Sequence, residues 1–441
     1  MTTTPLVSPG TPPATEPREN VVPSLRPFRP GFWFGGFNGV TWMISLGTPM
    51  VLLAQHLGAS AFQVGLASSF VFLLLPIQIV ATAALPSLGF KRQMVLAWLV
   101  RTVFLVIPLG LVWVEFDAPQ PWMPALLVTS VFGFCVCRAF GTAAHLPWMA
   151  AILPLELRGK FFATDQAITS VVGVGTLLTC AALFASLSAR TAFGIVYLAA
   201  AMGAVLAVWN LSRLPSAPAP AALPLRAMAG HALELCMSPG RFRHYLLLML
   251  TGSFVTSSLV AFTVYYLKTV RGLPSSEILL FTAAQFGGQI FGTASIRHQI
   301  DHVPLRRFFQ IAVAMVAVVD LFWLALLNGV DGLVPWLGVA YFIFGMGVAM
   351  TNVTHATYLP ELSPEKDRPI TIAVFTAALG LLAGLAPMLW GLALKNSGPV
   401  PGMNVDHFLL FFGVGITLSL SLLVLFSRLP DLRPSLGPGR T

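Results

Sequence analysis

Charged side chains are scarce in this 441-residue sequence. Lys, Arg, Asp and Glu make up 9% of it, against about 25% in soluble globular domains. The 61 residues from Pro30 to Phe90 contain none of the four, although a membrane-spanning helix needs only about 20 apolar residues. This composition excludes an ordinary soluble domain and predicts two membrane crossings in that stretch alone. Because lipid offers no hydrogen-bond partner to bare peptide groups, each crossing is expected to be helical.

The sequence also lacks a cysteine framework and the short motifs of soluble enzymes. Cys135, Cys137 and Cys180 lie in apolar segments and Cys236 lies in the central connection, so neither a disulfide nor a metal site is expected. A P-loop, a His-Glu-x-x-His motif and a Gly-x-Ser-x-Gly motif are all missing. We therefore expect no ATP hydrolysis, no enzymatic activity and no cofactor. The first 30 residues do not have the pattern of a cleaved signal peptide.

Twelve apolar segments are long enough to cross a membrane. They are predicted at 32–55, 62–85, 94–114, 122–152, 161–185, 191–211, 244–267, 275–297, 308–328, 334–357, 370–394 and 406–427. Of the 25 Lys and Arg residues, 19 lie in the two tails and in or at the edge of the even-numbered connections. Basic residues concentrate on the cytoplasmic side of membrane proteins, so both ends are predicted to be cytoplasmic, at the plasma (inner) membrane. The net charge of +9 is then explained by topology and anionic lipid headgroups rather than by nucleic acid.

The longest connection divides the chain into two halves of six segments each. The predicted units are a disordered cytoplasmic tail, an N-terminal bundle, a linker, a C-terminal bundle and a second cytoplasmic tail, at 1–30, 31–211, 212–243, 244–429 and 430–441. His145 precedes Arg158 by thirteen residues, and His355 precedes Arg368 by the same distance. Both pairs straddle the connection after the fourth segment of their half. Such matches indicate a duplication, which places a solute site near the membrane midplane between the halves.

Short basic motifs in the connections carry a family resemblance. The sequence reads Gly89-Phe-Lys91-Arg92 after the second segment, Pro154-Leu-Glu-Leu-Arg158-Gly159 after the fourth, and Asp301-His-Val-Pro-Leu-Arg306-Arg307 after the eighth. With twelve segments, a 6+6 repeat and cytoplasmic ends, residues 31–429 resemble the major facilitator superfamily. That family usually has Gly-x-x-x-Asp-Arg-x-Gly-Arg-Arg after its second helix, and this chain lacks the Asp. The resemblance implies an all-α fold of two pseudo-symmetric six-helix bundles. It also implies cytoplasmic gate loops formed by Lys91, Arg92, Arg158, Asp301, Arg306, Arg307 and Arg368.

Segment 4 carries the richest set of polar groups at membrane depth, where such groups usually face a cavity or a partner. Arg138, Thr142 and His145 are spaced to lie on one stripe of a helix. The run beginning at Arg138 is similar to the family's antiporter signature, Arg-x-x-Gln-Gly-x-x-x-Ala, without the Gln and with the Gly one residue early. Since segments 1, 4, 7 and 10 line the pathway in that family, Arg138 is predicted to face the cavity. The alternative is an Arg that binds carbonyl groups or extends toward the cytoplasm.

Neutral amides provide further candidates for solute binding. With Arg138 and Thr142, the predicted substrate-binding residues are Asn38, Gln285, Gln289 and Asn352. Bridging between neighbouring helices is an equally common role for such side chains. Arg101 and Asp320 lie in segments 3 and 9, which are peripheral in the family, and are predicted to be structural.

His145, His355 and Asp165 are the candidates for proton coupling. Histidine titrates near neutral pH, and the resemblance implies that the two histidines face each other across the pseudo-twofold axis. Capping of a helix end is the alternative for both. Asp165 is either an acidic partner of Arg138 or His145 or a carboxylate at a helix start.

The sequence therefore predicts a monomeric secondary transporter that contacts membrane lipids and moves a small organic solute, anionic or neutral and polar, by alternating access. Proton coupling is part of this hypothesis. The alternative function is an assembly or delivery factor for an apolar cargo, a pigment or a lipid, on the same fold. A polar central cavity favours the first function, and a sealed apolar one favours the second.

Overall fold

The computed structural model describes residues 24–114, 118, 120–219, 234, 238, 240–296, 299–300, 303–362, 368–395 and 407–430. Within these ranges the chain is helical and contains no β-strand. The predicted N-terminal tail up to residue 23, most of the central linker and the C-terminal tail lie outside them.

Within the described ranges, twelve helical units follow one another in the order predicted from sequence. They are α1 (Arg26–His56), α2 (Ala61–Leu73 with Ile77–Leu88), α3 (Phe90–Trp113), α4 (Met123–Ile152), α5 (Leu155–Ser186), α6 (Ala189–Ser212), α7 (Arg241–Thr269), α8 (Ser275–Ile296), α9 (Leu305–Leu327), α10 (Leu337–Leu362), α11 (Arg368–Ala393) and α12 (His407–Ser427). In the described part of the chain, ten units are long and apolar enough to cross a membrane alone, and the bent pair that forms α2 is an eleventh.

Helix α8 is the described unit that is long enough to cross a membrane but not apolar enough. Its 22 residues span about 33 Å, which is enough to cross a hydrocarbon core of about 30 Å. Its sequence, however, includes Glu277, Gln285 and Gln289. Because α8 packs between α5 and α10, Gln285 is buried and Gln289 is half-buried, whereas Glu277 is exposed near the start of the helix.

Helices α1 and α2 are interrupted where the sequence predicts continuous segments. In α1 the break falls at Gly47, between Arg29–Leu46 and Thr48–His56. Pro49 follows in the first turn of the second piece, where its missing N–H costs little. In α2 the axis bends by 42° between the two pieces, and Pro76 lies at this bend.

Each half repeats the same contact between its first and fourth helices. In the N-terminal half, the rings of Phe34 and His145 lie 5.9 Å apart. In the C-terminal half, the rings of Tyr245 and His355 also lie 5.9 Å apart. The offsets between the paired positions are 211 and 210 residues, so the predicted duplication is visible in the packing.

The two halves contact each other through α2 with α11, α5 with α8, and the second piece of α1 with α7. Glycines bring α2 and α11 together: a Cβ atom would lie 2.5 Å from the Leu73 nitrogen at Gly384 and 2.8 Å from the Ala61 oxygen at Gly391. A larger residue at either position would push the helices apart.

The halves are joined at the end of the bundle that carries the α1–α2 and α7–α8 connections, here named the odd-loop end. Thr48 and Thr282 hydroxyls lie 2.9 Å apart across the interface, and Gln55 Nε2 donates to Thr269 Oγ1 over 3.4 Å. At the opposite, even-loop end, Lys91 Nζ donates to the Leu214 oxygen of its own half over 2.8 Å. The bundle is thus fastened at the odd-loop end.

Candidate functional site

A cavity of about 270 Å³ lies between the two halves. It is named here the central cavity. Helices α1, α2 and α5 of the N-terminal half line it, together with α7 and α8 of the C-terminal half. Trp42, Phe72 and Phe286 supply aromatic surface. Its position at the interface is the position that the duplicated halves predict for a solute site.

Two polar side chains that line the central cavity have no hydrogen-bond partner within the described residues. They are the Oε1 atom of Gln285 and the hydroxyl of Ser257. Gln285 is only 6% exposed, so a partner for its Oε1 atom has to come from the cavity. A buried polar group without a partner costs about 1–3 kcal/mol, and a solute that donates a hydrogen bond to Gln285 would remove this cost. These atoms are therefore suited to bind a ligand.

A threonine pair borders the central cavity toward the odd-loop end. The Thr282 hydroxyl donates to the Ile278 oxygen over 3.0 Å. Since its proton is used there, Thr48 is the donor in the 2.9 Å bond to Thr282. This bond links α1 to α8 directly beside the cavity.

Arg138 lies next to the central cavity without lining it. Its Nη1 atom donates to the Val71 oxygen over 2.9 Å, and its guanidinium carbon lies 4.5 Å from the centre of the Trp42 ring. Val71 and Trp42 both line the cavity. Arg138 forms no ion pair within the described residues. The positive charge of Arg138 is therefore stabilised by a carbonyl oxygen and an aromatic ring, and the residues that supply them separate Arg138 from the cavity.

The other residues predicted to bind solute do not gather around Arg138. The Thr142 hydroxyl donates to the Arg138 oxygen of its own helix over 2.6 Å. Gln289 is half-buried one helical turn from Gln285, and it is not among the side chains that line the central cavity. Gln285 is thus the predicted residue that contacts the cavity directly.

Asn38 is hydrogen-bonded to a buried arginine. Its Oδ1 atom accepts hydrogen bonds from Arg101 Nη2 over 2.9 Å and from Trp98 Nε1 over 3.1 Å. Arg101 is 1% exposed, and its guanidinium carbon lies 4.5 Å from Trp98 and 4.6 Å from Phe134. The geometry therefore gives Asn38 a role in holding the Arg101 charge inside the bundle.

Replacement of Asn38 by leucine is expected to lower the thermal stability of the protein. Arg101 would lose the acceptor of its hydrogen bond, which costs about 1–3 kcal/mol for a buried group. Replacing Asn38 and Arg101 together by leucine should recover part of the loss, because no unpaired charge then remains. Thermal unfolding in detergent measures both variants. Unchanged stability with loss of solute binding would instead assign Asn38 to the solute.

A second cavity, of about 140 Å³, lies within the C-terminal half and is named here the C-half cavity. Asn352 and His355 of α10 line it, with Ser253 of α7 and Ser419 of α12. The Tyr245 hydroxyl lies 2.8 Å from His355 Nδ1. The structure thus separates Asn352 and His355 from Arg138 and Gln285.

His145 and Asp165 both lie against α1. His145 contacts the Phe34 ring, and the Asp165 carboxylate lies so close to Gly35 that a Cβ atom there would collide with it. Helix α5 begins at Leu155, so Asp165 lies well inside the helix, and the helix-start interpretation is wrong. Within the described residues, Asp165 forms no ion pair with Arg138 or His145.

The basic residues predicted to form gate loops lie at the even-loop end. Lys91 binds the Leu214 oxygen, and Arg158 donates to the Ala150 and Leu153 oxygens. Arg92, Arg306 and Arg307 are exposed. Asp301 lies outside the described residues, as does the side chain of Arg368, the residue at which α11 begins.

Trp42 and Ser257 were not among the residues predicted from sequence. Trp42 is one of 10 tryptophans, and nothing in its neighbourhood marks it as the face on which an arginine stacks. Ser257 lies in the run Thr256-Ser257-Ser258, which repeats small hydroxyl side chains inside an apolar helix. That local run is the signal that was available.

The structure is similar to several solved transporters. The nucleoside transporter NupG has a TM-score of 0.69 at 11% identity, over 91% of this chain and 100% of that one. The inward-open xylose transporter XylE from E. coli has a TM-score of 0.63 at 16% identity, over 92% and 96%. A POT family transporter in complex with a conjugated peptide has a TM-score of 0.66 at 12% identity, over 92% and 96%. At these identities the likeness shows the fold.

Sequence comparison gives the family. No curated protein matches the chain. The family model described as Major Facilitator Superfamily matches residues 32–354 and again residues 246–440, so the two matches together extend over most of the sequence. The multi-pass helical fold, its two similar bundles and this match agree, and the chain belongs to the Major Facilitator Superfamily.

Proposed function

We propose that this protein is a secondary transporter that moves a small organic solute across the membrane by alternating access around the central cavity. The observation that carries the proposal is the pair of unpartnered polar atoms, on Gln285 and Ser257, in a cavity at the interface of the halves. Ligand sites of this kind combine a mostly apolar lining with a few placed polar groups.

The direction that the cavity faces follows from charge and packing together. The halves are fastened at the odd-loop end. The positive-inside rule assigns the even-loop end, with its basic connections, to the cytoplasm. This conformation then faces the cytoplasm, in the inner membrane, with both termini on that side. We propose that a monomer with its surrounding lipid is the working unit.

The cavity lining narrows the class of solute. Trp42, Phe72 and Phe286 suit a flat or apolar body, whereas Gln285 requires a hydrogen-bond donor. Arg138 adds an uncompensated positive charge nearby. We therefore propose a small solute with an apolar body and polar groups, with an anionic group favoured. An all-apolar cargo would leave Gln285 and Ser257 unpaired, so the delivery-factor alternative is less well supported.

The similar structures carry solutes of the same general kind. They are a nucleoside transporter, a xylose transporter and a transporter in complex with a conjugated peptide. Such solutes are small organic molecules with several hydrogen-bonding groups, in keeping with a cavity of about 270 Å³. This likeness supports solute transport in general and does not select among the three.

Proton coupling is part of the proposal. Of the three residues predicted for it, His355 lies on a cavity and is hydrogen-bonded to Tyr245. His145 and Asp165 pack against α1 within their own half. Uptake of the solute into proteoliposomes, with and without a pH gradient, tests the coupling.

A thermal-stability screen against a library of small organic acids and neutral polar solutes tests the proposal. A ligand at 100 times its Kd should raise the stability of the folded protein by about 2.7 kcal/mol. Replacement of Gln285 by alanine is expected to abolish this rise, because the amide acceptor of the cavity is lost. Without ligand, the variant should be as stable as the wild type or more so, since an unpaired buried atom has been removed.

Gln289 replaced by alanine is the matched control, because it removes the same side chain from the same helix outside the cavity. It should keep the ligand-induced rise. Equal loss in both variants would place the solute elsewhere on α8. A ligand that stabilises the Gln285 variant as strongly as the wild type would contradict the assigned site.

A further inference from the structure

Asp320 is a carboxyl group buried inside the C-terminal half. It is 1% exposed and borders a gap of about 10 Å³ with apolar walls, to which α7, α11 and α12 contribute Leu259, Trp390 and Phe411. The backbone of α12 approaches so closely that a Cβ atom at Gly415 would lie 3.2 Å from the carboxyl carbon. Within the described residues, Asp320 forms no ion pair.

Within the part of the chain that the structure describes, one hydrogen bond serves this carboxyl group. Ser419 Oγ donates to Asp320 Oδ2 over 3.2 Å. An ionised carboxylate in apolar surroundings without a cation is strongly disfavoured, and a group in this position takes up a proton instead. The neutral acid is therefore the form that these surroundings accommodate.

Ser419 also connects the buried acid to a polar route. The same residue lines the C-half cavity, together with Ser253, Thr256 and Asn352. Asn352 is exposed. The cavity volume of about 140 Å³ exceeds the roughly 10–15 Å³ that one water needs. Water in this cavity would be separated from Asp320 only by the Ser419 side chain.

We propose that Asp320 is the proton-carrying group of this transporter and that it is loaded and emptied through the C-half cavity. A proton from water adds to a carboxylate oxygen to give the neutral acid. It returns to water by the same route during the transport cycle. One O–H bond forms and breaks, and no electrons are transferred. This inference rests on the proposed transport function.

The distribution of charge between the halves fits this role. Arg101 and Arg138 place two cations in the N-terminal half without an ion pair in the described structure, and Asp320 places an acid in the C-terminal half. Among the described residues, Ser419 is the side chain that forms a hydrogen bond with Asp320. His355 and Tyr245 lie on α10 and α7 and bond to each other. An anionic solute beside Arg138 and a proton on Asp320 would cross together with little net charge.

Asp320 replaced by asparagine keeps the shape of the acid and removes its proton exchange. In proteoliposomes, a gradient of about one pH unit should let the wild type accumulate solute roughly tenfold if one proton moves with each solute, since one unit equals a tenfold ratio. The variant should accumulate none, yet it should still bind solute and exchange it at equilibrium. Its exchange rate should no longer depend on pH.

Asp331 replaced by asparagine is the control, because it makes the same change at the surface, where Asp331 binds Arg271. It should accumulate solute as the wild type does. Wild-type accumulation by the Asp320 variant, or solute transport by the wild type that ignores a pH gradient, would overturn the inference. Infrared spectra recorded at low and high pH provide a readout that needs no solute. A protonated-carboxyl band present in the wild type and lost in the Asp320 variant supports the inference, and identical spectra overturn it even if no solute is found.

Discussion

Replacement of Arg138 by alanine is expected to lower solute uptake at least about 30-fold while the protein remains folded. The guanidinium group touches two residues that line the central cavity, Val71 and Trp42. If the solute is anionic, losing the positive charge beside it costs about 2–5 kcal/mol, and every 1.4 kcal/mol is a factor of ten. Folding should survive, because a cation without an ion pair is itself costly at membrane depth. Uptake into proteoliposomes and thermal unfolding measure the two effects.

Two further arginine variants make the test specific. Arg138 replaced by lysine keeps the charge and loses the planar stack on Trp42, so uptake should fall between the wild type and the alanine variant. Arg92 replaced by alanine removes an exposed arginine from the even-loop end and should leave binding of solute intact. Full uptake by the Arg138 alanine variant would remove this residue from the transport site.

The second large effect is expected at Gly384, where α11 meets α2. Leucine at this position would place its Cβ atom 2.5 Å from the Leu73 nitrogen, and backbone cannot yield as a flexible side chain does. Overpacking of this kind costs about 1–3 kcal/mol or more. Every 1.4 kcal/mol changes the equilibrium constant between the two conformations about tenfold. The variant should therefore populate less of the state closed at the odd-loop end and lose transport.

Accessibility of a cysteine introduced at Gln55 measures this shift. Gln55 contributes one of the hydrogen bonds between the halves, so a membrane-impermeant thiol reagent should label this position faster in the Gly384 variant. Gly413 replaced by leucine is the control, because a Cβ atom at Gly413 meets nothing within 4 Å. Equal labelling rates in both variants would show that the α2–α11 contact does not set the conformation.

The helical segments that can cross a membrane were predictable from sequence, and the reason is physical. A run of about 20 apolar residues has few ways to avoid lipid, so Pro30 to Phe90 could be divided into crossings without knowledge of any contact. The interruptions within it were not predicted. Gly47 and Pro76 permit a break, but whether the axis bends depends on the helices packed beside it.

The site was predictable only in part, because it depends on contacts distant in sequence. Gln285 was identified as a polar side chain at membrane depth, and it lines the central cavity. Asn38 was identified by the same argument, yet its side-chain oxygen accepts a hydrogen bond from Arg101, 63 positions away in the sequence. Arg101 and Asp320 were both interpreted as structural from the family's arrangement. Arg101 contacts Asn38 and two aromatic rings. Asp320, in contrast, is hydrogen-bonded to a serine that lines the C-half cavity.

The unusual polarity of α8 has a consequence for how the protein is made. A segment with Glu277, Gln285 and Gln289 gains little by entering lipid alone, but it is well accommodated between α5 and α10. Helix α5 leaves the ribosome before α8 and α10 leaves after it. We therefore expect α8 to settle late, held by its neighbours after their synthesis, which makes the order of helix insertion differ from the order of translation.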